Sequence, residues 1–118
     1  MLGSIVLART VAMSPELLEE KAGEAEAFLR SLASRHRLMI LCSLVAGELS
    51  VTELGQRLGL TQSNLSRHLG MLRDENLVGT RRDKTTIYYR ITSKRVLPIL
   101  TELYALFCAD GVAASRNN

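Results

Sequence analysis

The sequence predicts a mainly α-helical chain with one small β-hairpin, and three observations predict it. Apolar residues recur at spacings of three and four over five separate stretches, the period of an amphipathic helix. A serine or threonine heads each stretch, at Ser14, Ser34, Ser50, Thr61 and Ser93, where such side chains cap helices. Residues 77–91, LVGTRRDKTTIYYRI, are instead rich in β-branched and aromatic residues around a polar turn, the pattern of a hairpin. With 118 residues, 47% of them hydrophobic and five aromatic, the chain has the length of one domain with a modest aliphatic core. It is short enough to gain from a partner.

The first helix opens on Ser14-Pro15-Glu16: a cap, a proline at the first position and an acid in the first turn. Leu18, Ala22, Ala25, Leu29 and Leu32 carry its stripe to about Ala33. Ser34 caps a second helix that runs to about Ala46 and stops at Gly47, with Leu38, Leu41, Cys42 and Val45 as its apolar face. Ser50 and Glu53 form an S-x-x-E capping box for a third. Val51, Leu54 and Leu58 line that helix, and Gly59 stands where a helix stops in the left-handed conformation. Thr61 caps a fourth, whose Leu65, Leu69 and Leu72 share one face and which ends near Asn76. Strands are expected over residues 77–82 and 86–91, with Asp83, Lys84 and Thr85 as the turn.

Ser93 caps a last helix from Lys94 to about Asp110, closed by Gly111. Pro98 is awkward there and marks either a later start or a kink. Val96, Ile99, Leu100, Leu103 and Phe107 make one stripe of it; Leu97, Thr101, Tyr104 and Cys108 make the next. A helix apolar over so wide an arc is buried on two sides, consistent with a homodimer held by the first and last helices. The expected organisation is an extension over residues 1–13, one domain over 14–111 and a disordered tail over 112–118.

The order helix–helix–helix–helix–strand–strand–helix, with the third and fourth helices joined by a tight turn, is that of a winged helix-turn-helix. The fourth helix turns Ser63, Ser66, Arg67 and Gly70 away from its leucines, with Gln62 exposed in the first turn. Small polar groups, one arginine and a glycine let a helix lie close to a DNA groove. The hairpin tip is basic and suited to gripping phosphates. Candidate DNA contacts are therefore Gln62, Ser63, Ser66, Arg67 and His68 on the helix, and Arg81, Arg82, Lys84 and Thr85 on the wing. Charge agrees: the net is −2 over residues 1–56, +6 over 57–95 and −1 over 96–118. The basic excess falls on the reader helix and the wing, the footprint of a polyanion partner. A two-fold dimer would read double-stranded DNA as an inverted repeat.

Other classes fit poorly. No apolar run approaches the roughly 18 residues of a membrane span. The start lacks a basic n-region and a small-residue cleavage site, so a cytoplasmic, reducing location is expected. In that setting the two cysteines, Cys42 and Cys108, do not form a standing disulfide. A thiol oxidoreductase would call for C-x-x-C in a βαβ setting, and neither occurs. No enzyme activity and no cofactor are expected.

The segments SLASRHRLMILCSLVAGELSVTELGQRLGLTQSNLSRHLGMLRDENLV and RRDKTTIYYRI resemble the ArsR/SmtB family of small dimeric bacterial repressors. The resemblance covers roughly residues 15–110. Within the family, RLMILCSLVAGELSV and ELYALFC are most similar to the BigR/SqrR-type thiol-based sulfur sensors. It implies a winged-helix homodimer repressing sulfide-detoxification genes, in which Cys42 and Cys108 react with persulfides or oxidants, become bridged and release the DNA. The chain departs from the metal-sensing members, whose C-x-C segment reads ELSVTEL here, with Ser50 and Thr52 in place of thiolates. With only His36 and His68 as histidines, no set of three or four N/S ligands for zinc is offered. Arg35, His36 and Arg37 precede Cys42 and are expected to favour its thiolate, while Cys108 lies near a helix C-terminus that disfavours an anion. Cys42 is thus the expected first nucleophile.

Overall fold

The computed structural model describes residues 13–108. The expected N-terminal extension (apart from Met13), the end of the last helix and the tail lie outside these residues. The chain divides into two compact units between Ala33 and Ser34. The first contains α1, Pro15–Leu32, whose N-cap Ser14 accepts from the Leu17 amide through Oγ at 3.2 Å.

The second unit contains α2 (Arg35–Leu44), β1 (Leu49–Ser50), α3 (Val51–Leu58), α4 (Gln62–Asp74), β2 (Val78–Asp83), β3 (Thr86–Ile91) and α5 (Val96–Leu103), which continues as a π-helical turn, Tyr104–Cys108. Its core is aliphatic: Ile40, Leu41, Leu54, Leu65, Leu69, Leu72 and Val96 are fully buried. Burying each such side chain contributes about 1.5–3 kcal/mol. The helix-turn-helix forms as its caps dictate. Glu53 N–H donates to Ser50 Oγ at 3.1 Å, and Ser50 N–H donates to the Glu53 carboxylate at 2.9 Å. Gly59 takes φ 64, and Thr61 Oγ1 accepts from the Asn64 amide. At the far end of α4, Asn76 takes φ 60. The Asn76 amide bonds to the Arg73 carbonyl at 3.0 Å and the Leu77 amide to Leu72 at 2.9 Å. These two bonds make a Schellman motif with asparagine in the place glycine usually holds.

Four expectations are corrected. The buried face of α2 is Arg37, Ile40, Leu41 and Leu44, turned by about one residue from the expected stripe, and Cys42 and Val45 are exposed. α2 also ends at Leu44, short of Ala46, because amide–carbonyl bonds from Val45 to Cys42 and from Gly47 to Leu44 tighten its last turn. The last helix starts at Val96, so Pro98 falls in its first turn, where an amide has no intrahelical acceptor to lose. The hairpin has a two-residue turn, Lys84-Thr85, with Asp83 paired to Thr86 inside the ladder. That shift sets Arg81 opposite Tyr88 rather than Ile87. One element was not expected. β1 pairs antiparallel with β3, Leu49 to Tyr89 and Ser50 to Tyr88, giving a three-stranded sheet in the order β1-β3-β2.

Asn76 gives the first prediction. Asn76→Ala should cost about 1 kcal/mol, because a β-carbon is disfavoured at positive φ and alanine lacks asparagine's local hydrogen bonds. Asn76→Gly should leave stability equal or higher. Urea midpoints at an unchanged m-value measure both.

Candidate nucleic-acid interface and thiol pair

Burial of Leu65, Leu69 and Leu72, each 0–1% exposed, turns the other side of α4 outward. Gln62, Ser63, Ser66 and Arg67 are all exposed there. Thr61 Oγ1 caps the helix and lies 3.4 Å from Ser63 Oγ. Gly70 is half-buried, and a β-carbon there would meet nothing within 4 Å, so the face stays low along its length. Four of the five expected contacts on α4 therefore share one outward surface.

His68 does not. It is 7% exposed, and its ring meets that of His36 edge to face at a centroid distance of 5.4 Å. The i+3 step from Leu65 carries it round to the core side. Neither ring nitrogen has a hydrogen-bond partner. Burial, then the charges of Arg67, Arg37 and His36, hold its pKa below the ordinary histidine value. His68 is thus a packing residue between α4 and α2, not a groove contact. Beside it, Arg37 Nη1 donates to Met71 Sδ at 3.5 Å, a second tie between the two helices.

On the wing, Arg82, Lys84 and Thr85 are exposed around the tip. Lys84 holds φ 58, a conformation that costs an L side chain energy and that glycine or asparagine usually supplies. Arg81 is exposed but engaged. Its Nε donates to both carboxylate oxygens of Glu48, at 3.0 and 3.3 Å, Nη2 donates to the same group, and the guanidinium lies 4.6 Å from the Tyr88 ring centroid. The hydrogen bond from Arg81 holds the Glu48 carboxyl below the usual carboxylate range. Glu48 and Tyr88 were not legible as site residues. The acid's partner is 33 positions away, and Tyr88 meets Arg81 only in the two-residue-turn register.

Cys42 and Cys108 are both free thiols and both exposed. The last helix widens to five-residue hydrogen bonding over Tyr104–Cys108, and Phe107 stands 74% exposed there. The thiols are near enough for their charges to interact: burial pushes the Cys42 pKa up, and Cys108 adds to the rise. Arg35, His36 and Arg37 are not among the groups that shift Cys42, and its pKa moves up rather than down. Among the described residues no group of three or more His, Cys, Asp or Glu could hold a metal ion, and no helix is long and apolar enough to cross a membrane.

Comparison with known proteins places these features. Residues 34–80 match the family model described as bacterial regulatory protein, arsR family. A biofilm growth-associated repressor from Xylella fastidiosa is 42% identical over 98 residues, 83% of this chain and 86% of that protein. The transcriptional activator HlyU from Vibrio cholerae is 41% identical over 96 residues, covering 81% and 89%. The solved structure of reduced HlyU from Vibrio cholerae superposes with a TM-score of 0.75 at 41% identity, over 79% of this chain and 98% of that one.

A pH prediction follows from His68. Its folded pKa lies below its unfolded value, so the unfolded chain binds the extra proton between the two. Stability should be full above about pH 6.5, the unperturbed histidine value, and fall as pH drops from there through the folded pKa. Thermal melts from pH 7.5 to 5 should show that slope, and His68→Leu should flatten it.

Proposed function

The chain belongs to the arsR family of bacterial regulatory proteins, a family of DNA-binding transcriptional regulators with the winged-helix fold rather than of enzymes, and we propose that it is a homodimeric repressor whose operator binding is released when Cys42 and Cys108 are bridged. The observation that carries the DNA half is the outward polar face of α4 beside a basic wing tip. Gln62, Ser63, Ser66 and Arg67 read base edges, and Arg82, Lys84 and Thr85 hold phosphates. The dimer is supported by Leu97, Tyr104, Leu106 and Phe107, which are 51%, 55%, 68% and 74% exposed in the single chain, apolar side chains of the last helix that a second copy would cover. A two-fold dimer presents its reader helices one DNA turn apart, so half-sites lie about 10 bp centre to centre or a multiple of that. The protein acts in the cytoplasm, on duplex operators near sulfide-detoxification genes.

The switch is supported by the exposure of both of the chain's cysteines and by the upward push of Cys108 on the Cys42 pKa. A thiolate of one attacks the outer sulfur of a low-molecular-weight persulfide, RS–SH, giving a protein persulfide and RS⁻. The second thiolate then attacks the inner sulfur of that protein persulfide. A disulfide forms and hydrosulfide, HS⁻, leaves. With Cys42 raised rather than lowered in pKa, either thiol serves as the first nucleophile. The bridge ties α2 to the end of α5. If the tie disfavours the DNA-bound arrangement by about 2–3 kcal/mol, affinity falls on the order of 30–150-fold.

Two predictions test these halves separately. Against a duplex selected by the protein from a random pool, Arg67→Ala should lose sequence preference. Arg82→Ala should weaken binding to all duplexes and flatten the salt slope by about one. Parent-like affinity in both would contradict the assignment of reader and wing. For the switch, Cys42→Ser and Cys108→Ser should each fold and bind DNA nearly as the parent does. A persulfide donor should release only the parent, through an intramolecular Cys42–Cys108 species that dithiothreitol reverses. Release of either single variant would contradict bridging.

A further inference from the structure

Arg81 lies on the basic wing, yet its guanidinium is already committed. Nε spans both Glu48 oxygens, Nη2 joins one of them, and the cation lies over Tyr88, its cross-strand neighbour. Glu48 occupies the root of the helix-turn-helix. It directly precedes β1, whose Ser50 caps α3. The contact therefore joins the wing, at the level where its β1 pairing ends and the free two-stranded part begins, to the root of the DNA-reading element. The rest of the wing is a two-stranded ribbon, a form that is marginal by itself in water. Its two-residue pairing with β1 ties β3 to the segment that precedes α3, and the Leu77 amide ties the foot of β2 to Leu72 of α4. By simple electrostatics, an acid at this place opposes a polyanion.

We propose that Arg81 is a positioning residue rather than a phosphate ligand: clamped between Glu48 and Tyr88, it fixes the tilt of the wing and so delivers Arg82 and Lys84 to the backbone that α4 straddles. This rests on the DNA-binding reading above. The side chains of the pair are 47% and 33% exposed, and a surface ion pair of that kind adds little to folding stability. Its effect is angular. Fork-to-carboxylate geometry fixes direction as well as distance, and a small rotation at the root becomes a larger displacement at the tip. Lysine at position 81 keeps the charge but lacks the fork.

The test uses the whole chain, a duplex it has selected from a random pool, and the variants E48Q, R81A, R81K and E48Q/R81A. Expected is a loss of about threefold to tenfold in affinity for each single variant, the range for a surface ion pair with a cation–π contact. The double variant should be no weaker than the worse single, and any fall in salt slope should be equal in E48Q and R81A, because both release the wing that carries Arg82 and Lys84. A salt slope reduced by about one in R81A but not in E48Q would overturn the proposal, because it is the signature of a phosphate contact made by Arg81 itself. So would tighter binding by E48Q, the result if removing a negative charge were all that mattered, or R81K binding as the parent does. Amide hydrogen exchange without DNA provides a readout that needs no operator: E48Q should speed exchange across residues 80–88 and leave α4 unchanged. Should the parent select no duplex, the DNA reading fails, and exchange alone decides the clamp. Unaltered wing exchange in E48Q overturns it.

Discussion

Burial of three leucines on α4 determines what the rest of the molecule presents. With Leu65, Leu69 and Leu72 packed in a core that includes Ile40, Leu41 and Leu54, α4 cannot rotate about its own axis without exposing them. At about 1.5–3 kcal/mol for each buried side chain, such a rotation would cost much of a small domain's total stability. The outward face is thereby fixed to Gln62, Ser63, Ser66 and Arg67. The same packing draws His68 inward, and the Arg37–Met71 contact adds a second tie from α4 to α2. The outward polar face of α4 is the complement of the core.

The wing is fixed by a different kind of force. Its strands bury little: Val78 and Tyr89 are its inward residues, 3% and 8% exposed. Direction comes from backbone pairing with β1 and from Arg81 held between Glu48 and Tyr88. Polar geometry thus does for the wing what apolar packing does for α4. The sequence signals for the two differ accordingly.

Helix existence was legible because caps and periodicity are local. The Ser50–Glu53 box, Gly59, Thr61 and Asn76 each occupy the place and backbone conformation their chemistry predicts. Facing was less legible. The α2 stripe was read one residue off, because Ile40 and Leu41 together outweigh Cys42 for the core and periodicity alone does not rank them. His68 was read as outward from its place on a polar stretch, although the i+3 step from Leu65 was the signal that turns it in. β1 is two residues long and carries no alternation to detect. The sequence predicts a hairpin turn one residue too long, and a one-residue change in register moves every side chain to a new cross-strand partner, so the Arg81–Tyr88 pair is not legible. The π-helical turn has no marker in YALFC, so the five-residue step to Cys108 was invisible. The pair of cysteines is visible in the sequence, but the upward shift on Cys42 is not, because burial and the approach of Cys108 have no local signature.

The proposed function requires α4 and the wing tip to form one DNA surface that leaves out the thiol pair. The most direct measurement is an amide chemical-shift titration of the reduced protein with a duplex it has selected. Perturbations should concentrate on residues 61–67 and 82–86 and leave α5 and the residues around Cys42 close to their free positions. Shifts centred on α5 and the Tyr104–Cys108 turn, with α4 and the wing tip unmoved, would contradict it.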